Sequence, residues 1–174
     1  MLGHPEWFEG VRNLLDMGCG SGILGITAAK LSGARMSVFV DIDPTAVAVA
    51  LANAQRIGID AQGFVSNAWA QLPPQQVTLV LCNPPFQPTG DGGRNLVDPG
   101  LALHHALFRS AREYLTDGGR LLVGSSTEIS GTADPELLPG CYGWNLVSRE
   151  SIIRSAPTAK HPDRSHTYTV SLYA

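Results

Sequence analysis

Cysteine is scarce in this 174-residue chain, with only Cys19, Cys82 and Cys141, an odd count without C-x-x-C spacing. That scarcity excludes a disulfide framework, argues against a zinc site, and makes a reduced intracellular compartment the simplest expectation. No apolar run approaches the roughly 18 residues a membrane-spanning helix needs. The opening MLGHPEWFEG has neither a basic leader nor an apolar stretch, so no signal peptide is expected. Positive charge is not in excess either: 12 Lys and Arg face 15 Asp and Glu, for a net charge of -3. This argues against a broad electrostatic footprint for nucleic acid and leaves room for a local basic patch. There is no internal repeat, low-complexity tract or linker. Residues 1–174 therefore read as a single domain of 44% apolar composition, and whatever selects a ligand must be a loop on it or another molecule.

What is present is an alternation of short β-rich runs with helical patterns, the way a βαβ chain with a mostly parallel sheet is written. The first strand falls at 13–17, then a glycine turn and a helix at 23–31. A second strand at 35–43 ends in Asp43-Pro44, an N-cap followed by proline at the first helical position. Val47, Ala50, Leu51, Ala54 and Ile57 recur at helical spacing, predicting a helix over 44–57 closed by Gly58. Further strands are expected at AQGFVSN, at 77–82, at GRLLVGSS and, in the tail, at 145–153 and 166–173. A helix over about 99–115 stands between the fourth and fifth. The architecture is α/β and doubly wound, with seven strands. Ligands of such sheets bind outside the carboxyl ends of the strands.

The turn LLDMGCGSGILG carries two glycine registers. Gly20, Gly22 and Gly25 make the G-x-G-x-x-G of a dinucleotide site, whereas Asp16, Gly18, Gly20 and Gly22 make D-x-G-x-G-x-G. The first register places Asp16 inside a buried strand, where an unpaired carboxylate is expensive. The second ends the strand at Asp16 and is expected to leave its carboxylate at the strand edge. Gly25 then becomes a helix residue kept small for packing on the sheet. Asp41, at the end of the second strand, suits ribose hydroxyls of NAD and of S-adenosylmethionine equally, and Asp43 reads as an N-cap.

Asn83-Pro84-Pro85-Phe86 after the fourth strand separates the two cofactors. Two prolines end any ladder, yet that does not account for an asparagine before them and an aromatic after. The Asn83 side-chain oxygen and the Pro84 carbonyl make two acceptors that could grip the N–H bonds of a planar NH2 group. Holding those hydrogens out of plane favours a tetrahedral nitrogen and stabilises the positive charge growing on it. Phe86 would stack on the planar group.

With these residues the chain resembles the class I S-adenosylmethionine-dependent methyltransferases, specifically the amino-methyltransferases carrying N/D-P-P-F/Y. The resemblance runs from LLDMGCGSGILGITAAK through VDIDPTAVAVALANAQ and LVLCNPPF to LTDGGRLLV. It looks like the small-domain methyltransferases of ribosomal RNA bases and the release-factor glutamine methyltransferases. It implies a Rossmann-like methyltransferase fold, with a seven-stranded mostly parallel sheet whose last strand runs antiparallel beside the fifth. Asp16, Gly18, Cys19, Gly20 and Gly22 would surround the methionine part of S-adenosylmethionine. Asp41 would hold its ribose, Ile42 its adenine face, and Asn67 with Ala68 the adenine amino group. Asn83, Pro84, Pro85 and Phe86 would bind the target nitrogen, on an RNA base or a protein glutamine. No metal and no membrane enter this reading.

Both relatives typically carry an N-terminal recognition domain, and only about ten residues precede the first strand here. Recognition is therefore expected from a partner subunit or a missing domain. Two local segments would overhang the active edge: the glycine-rich 87–100, as a lid, and 154–166 with Arg154, Lys160, His161, Arg164 and His166, as the best candidate for touching phosphate. Strand six, expected parallel to the rest, puts that basic loop on the cofactor side. His104 and His105 lack metal spacing, Cys82 lacks a base, and Trp69 is assigned to core packing or to the adenine edge. The alternatives to a transferase of NH2 groups are a non-catalytic methyltransferase-like subunit and a small-molecule methyltransferase.

Overall fold

The structure, a computed structural model, describes residues 3–85, 98–126, 138–155 and 165–174; of residues 126, 152–155, 165 and 166 it describes the backbone. Its strands are β1 Asn13–Met17, β2 Met36–Asp41, β3 Ala61–Val65, β4 Val77–Cys82, β5 Leu115–Ser126, β6 Leu146–Ser155 and β7 Ser165–Tyr173. The helices are α1 Ile23–Ser32, α2 Pro44–Ile57, α3 Ala102–Tyr114 and the short α4 Leu138–Cys141, with single 3-10 turns at Pro5–Phe8 and Pro99–Leu101. Among the described residues no helix is long and apolar enough to cross a membrane.

The strands form one sheet in the order β3-β2-β1-β4-β5-β7-β6. β1 to β5 pair in parallel, while β7 is antiparallel to both β5 and β6, so β6 points the same way as the first five. This is the expected topology, including the orientation of strand six. The chain winds outward from β1 to β3, then returns to place β4 on the other side of β1. Connections thus diverge between the carboxyl ends of β1 and β4, and a crevice opens there.

Strand alternation sorts the core into two layers. Leu15, Met17, Val38, Val40, Val80, Leu121 and Val123 face α3, packing with Leu107, Phe108, Trp69 and Trp144. Leu14, Leu79, Leu81 and Leu122 face the other side, against Trp7, Phe8 and the Ala28-Ala29 flank of α1. Both indoles facing α3 satisfy their N–H groups on its backbone: Trp69 donates to the Ala106 carbonyl at 3.0 Å and Trp144 to that of Phe108 at 2.8 Å. Arg112 caps the second contact, its guanidinium 4.1 Å above the Trp144 ring. Trp69 is therefore a core residue, stacked on Tyr114 at 4.4 Å.

Local chemistry explains the elements that match expectation. α2 spans the predicted residues: Asp43 Oδ1 accepts the Thr45 N–H at 2.8 Å, Pro44 follows, and Gly58 closes the helix in the left-handed region at φ 73°. Such a cap contributes about 1 kcal/mol. The helix predicted over 99–115 is instead a 3-10 turn joined to α3. Gly100 and Leu101 have φ of 63° and 55°, which interrupts the helix and turns Leu101 into the core. Its predicted last residue, Leu115, begins β5, which is four residues longer than GRLLVGSS. β3 stops at Val65, short of the expected Asn67: the Ser66 N–H makes the last bond to β2, at the Asp41 carbonyl 2.8 Å away, and the Ser66 hydroxyl then closes a turn by accepting the Gln71 N–H at 3.0 Å.

The N-terminal turn is tied down by polar contacts. Arg120 of β5 donates to the Glu9 carbonyl at 2.6 Å, and His4 stacks on Trp7 while bridging Glu6 at 2.7 Å and Glu150 of β6 at 2.9 Å. Hydrogen bonds to Glu150 and then Glu6 raise the His4 pKa above 6.5, and the His4 contact lowers that of Glu6 below 4.5. A raised histidine pKa contributes stability that is fully present below the unfolded value and lost as pH climbs through the folded one. The lowered Glu6 contributes above 4.5 and loses its share in acid. The bridge is thus strongest between about pH 4.5 and 6.5. In thermal denaturation, His4→Gln is expected to melt below the parent protein at pH 6, and the gap is expected to close by pH 9. A gap that persists unchanged at pH 9 would refute the charged bridge.

Candidate functional site

Three loops leave the carboxyl edge of β1, β2 and β3 and are stitched together by backbone groups. The Gly18 and Cys19 N–H groups donate to the Val40 carbonyl at 2.8 and 3.0 Å. The Asp41 carboxylate bridges the glycine turn to the β2 exit, with Oδ2 accepting from Gly20 N–H at 2.9 Å and Oδ1 from Asp43 N–H at 3.0 Å. Beyond β3, the Gln71 side-chain oxygen accepts the Asn67 N–H at 2.9 Å, and Ser66 Oγ donates to the Ala68 carbonyl at 2.7 Å. This tight loop holds Ala68 at φ 49°, a left-handed conformation that costs a non-glycine residue about 1–2 kcal/mol.

The glycines divide by what surrounds them. Gly22 begins α1 at φ 79°, and a methyl there would lie 3.0 Å from Ala50 Cβ; it lets α1 and α2 approach. Gly25 lies inside α1 where a methyl would meet Phe39 at 2.7 Å and Asp16 Oδ2 at 3.0 Å, which makes it the packing residue expected. Gly18 and Gly20, in contrast, have nothing within 4 Å of the same position. They line open space beside the half-buried Asp41 and the Ile42 side chain, which is 67% exposed. A cradle of free backbone, an acceptor carboxylate whose oxygens keep lone pairs, and an exposed apolar side chain suit a nucleoside cofactor: the first takes a polar tail, the second a ribose diol, the third a flat base.

Asp16 does not lie where its sequence register placed it. β1 continues to Met17, with Asp16 paired to Phe39 and Leu81 on its two sides, and the carboxylate is only 1% exposed. Its Oδ2 accepts the Gly25 N–H at 2.8 Å, one of the orphan donors at the start of α1, while Oδ1 has no partner among the described residues. The burial that would have counted against the dinucleotide register is thus tolerated through the helix N-terminus. Burial pushes the Asp16 carboxyl up to about 7, the Gly25 hydrogen bond opposing and the Asp41 charge adding to the rise. Burial also pushes the Cys19 thiol up to about 12 and that of Cys82 well above its ordinary value, so neither is a ready nucleophile.

On the other side of the switch point, β4 delivers Asn83, exposed, and then Pro84, buried, and Pro85, half-buried. Met17 pairs with Cys82, so Asn83 leaves the sheet beside the glycine turn. Among the described residues neither amide atom of Asn83 has a hydrogen-bond partner. Its Oδ1 lies over Gly124 of β5, so close that a methyl on Gly124 would collide with it. Phe86, most of the glycine-rich segment 87–100 and the core of the basic loop 154–166 lie outside the described residues.

Two features of this edge had weaker signals in the sequence. Asp98 and His104 form a buried pair, Oδ2 to Nδ1 at 2.7 Å, and Asp98 also accepts the Leu103 and His104 N–H groups at 2.9 and 3.2 Å. Burial acts against the Asp98 charge, but these hydrogen bonds prevail and hold its pKa below the usual carboxylate value. Asp98-Pro99 repeats the Asp43-Pro44 cap pattern and could have been read as one. Gly124 was an isolated glycine inside a strand, a mark of close approach. Among the described residues there is no group of three or more His, Cys, Asp or Glu side chains placed to hold a metal. A cavity of about 870 Å³ lined by Arg12, Arg35, Thr78 and Arg120 opens at the amino ends of the strands, the edge opposite the switch point.

A doubly wound sheet with this edge has the architecture of domains that bind a ligand at the carboxyl ends of their strands. The chain belongs to the methyltransferase small domain family, which matches residues 7–133. It is 41% identical over 152 residues to the ribosomal protein L11 methyltransferase of Pseudomonas paraeruginosa, covering 82% of this chain and 48% of that protein. It is 30% identical over 166 residues to the release factor glutamine methyltransferase of Cereibacter sphaeroides, covering 80% and 60%. The T. thermophilus 16S rRNA N2 methyltransferase solved with AdoMet and guanosine superposes with a TM-score of 0.63 at 22% identity, over 97% of this chain and 38% of that one. The chain thus spans about half the length of the ribosomal protein L11 methyltransferase it matches.

The buried Asp16 sets a pH dependence of unusual sign. A carboxyl whose folded pKa exceeds its unfolded 3.8 costs stability once ionised, so its contribution falls as pH rises from 3.8 through about 7 and is constant above. Asp16→Asn is expected to remove that slope and to stabilise the cofactor-free protein at pH 8 by up to roughly 4 kcal/mol. Urea unfolding at pH 5 and pH 8 measures it, and a variant less stable than the parent at pH 8 would overturn the assignment.

Proposed function

We propose that this domain transfers a methyl group from S-adenosylmethionine to a planar NH2 nitrogen, on an RNA base or a protein glutamine. The observation that carries the reading is the Asn83 amide at the mouth of β4, without a partner among the described residues and next to the open glycine turn. The names of the relatives support it: one glutamine methyltransferase and one rRNA N2 methyltransferase.

Gly18, Cys19, Gly20 and Gly22 would hold the methionine part, with Asp16 bracing the turn from below. Asp41 would accept from the ribose, Ile42 would cover the adenine, and Asn67 with Ala68 would meet its amino group. The bound cofactor supplies an electrophilic methyl on a sulfonium. The chain's own task is then to present the nitrogen. Asn83 Oδ1 and the Pro84 carbonyl accept its two N–H bonds, and Phe86 stacks on the plane. Both acceptors face the nitrogen's two hydrogens, so they stabilise charge developing on it as the reaction proceeds. As the new N–C bond forms, the methyl–sulfur bond breaks with its electron pair left on the sulfur, and the proton, acidic only at that point, passes from the nitrogen to water, so no strong base is required.

Residues 1–174 act as one transfer domain in the cytoplasm, where Cys19, Cys82 and Cys141 remain free thiols. Recognition of the RNA or protein comes from a partner subunit or from a further segment, as the partial coverage of the relatives suggests.

Isothermal calorimetry is expected to show binding of S-adenosylmethionine and none of NAD; the reverse would sink the reading. With labelled donor and fractionated ribosomal RNA and protein as acceptors, Asn83→Ala is expected to lower kcat at least tenfold. That corresponds to losing one charge-linked hydrogen bond of about 1.5 kcal/mol. Unchanged turnover would remove Asn83 from the reaction.

A further inference from the structure

We propose that Gly124 is a positioning residue: its bare Cα is the floor that sets where the Asn83 amide oxygen stands. The inference rests on the role given above to Asn83 and adds a second residue, on a different strand, to that role.

The register brings the two together. β4 and β5 run parallel with Leu81 beside Leu122 and Cys82 beside Val123, so one further step places Asn83 beside Gly124. Alternation gives both the same face. Leu81 and Leu122 pack in the layer toward α1, whereas Cys82 and Val123 belong to the layer toward α3. Asn83 and Gly124 follow Leu81 and Leu122 at a spacing of two and return to the α1 side. A Cβ on Gly124 would overlap Asn83 Oδ1, and would lie 3.3 Å from Asn83 Cγ and 3.6 Å from its Cα.

Nothing about the backbone of Gly124 asks for glycine. It is absent from the residues with positive φ and pairs regularly with Val170 of β7. Glycine in a strand interior lowers stability, so the missing side chain needs another reason, and the Asn83 oxygen occupies the vacated space. The conflict that a methyl would create is with the tip of one exposed side chain. It is relieved by rotating the amide, with the β4 backbone left in place. Because no hydrogen bond among the described residues restrains that amide, the steric floor is the constraint that remains on this side. An acceptor displaced by even about 1 Å no longer meets an N–H at hydrogen-bonding distance.

Gly124→Ala therefore separates position from fold. The expected outcome is a kcat at least tenfold lower, an unchanged dissociation constant for S-adenosylmethionine by calorimetry, and a urea midpoint equal to or above that of the parent. The side-chain NH2 resonances of Asn83 should move in the cofactor-free protein. In the Asn83→Ala background, where no oxygen is left to displace, adding Gly124→Ala should cost nothing more. A wild-type kcat in Gly124→Ala, an equal further loss in the Asn83→Ala background, or unfolding in both backgrounds overturns the inference. If Asn83→Ala itself keeps full turnover, it is the role of Asn83 that fails; if Asn83→Ala is slow and Gly124→Ala is not, only the positioning role of Gly124 fails.

Discussion

The Asp41 carboxylate is the constraint on which the cofactor edge depends. One oxygen holds the Gly20 N–H and the other the Asp43 N–H, so a single side chain fixes the glycine turn after β1 relative to the start of α2. Neighbouring backbone bonds extend the same hold: the Val40 carbonyl takes Gly18 and Cys19, and the Asp41 carbonyl takes Ser66. Three loops that would otherwise move independently thus share one anchor at the end of β2. Hydrogen bonds from charged acceptors contribute about 1.5–3 kcal/mol, enough to hold a glycine-rich turn that has little side-chain packing of its own.

Stability is given up around this edge in several places. Among the described residues Asp16 is buried with one oxygen unpaired and the Asn83 amide stands without a partner, and Ala68 is held left-handed. Each is unfavourable taken alone, and together they surround one crevice. Elsewhere the core pairs several of its polar groups, although the Trp7 indole N–H and the Ser37 hydroxyl are buried without a partner among the described residues. The indoles of Trp69 and Trp144 bond to α3 carbonyls, and α2 is capped at both ends. Strain of this kind commonly gathers where a domain binds a ligand.

Much of the fold was legible in local chemistry. β1, β4 and α2 have the predicted boundaries because apolar runs, an Asp-Pro cap and a closing glycine act within a few residues. The start of α3 was not legible. Its break at Gly100-Leu101 depends on Leu101 reaching the core and on Asp98 bonding Leu103, His104 and the His104 ring. The same division holds at the candidate site. Asp41, Ile42 and Asn83 stand where strand ends predict, whereas Asp16 was expected at an exposed edge and is sealed under α1.

The order of strands and helices, the glycine turn, the acidic end of β2 and the Asn-Pro-Pro-Phe segment are written in spacing and residue type over short distances. The environment of each group comes instead from packing. Asp16 is buried because β1 is flanked by β2 and β4 and covered by α1, none of which its own neighbours in sequence specify. Gly124 stands beneath Asn83 because β4 and β5 pair in one register, 41 positions apart along the chain. Contacts of that kind arise from packing between distant segments, and no local pattern encodes them.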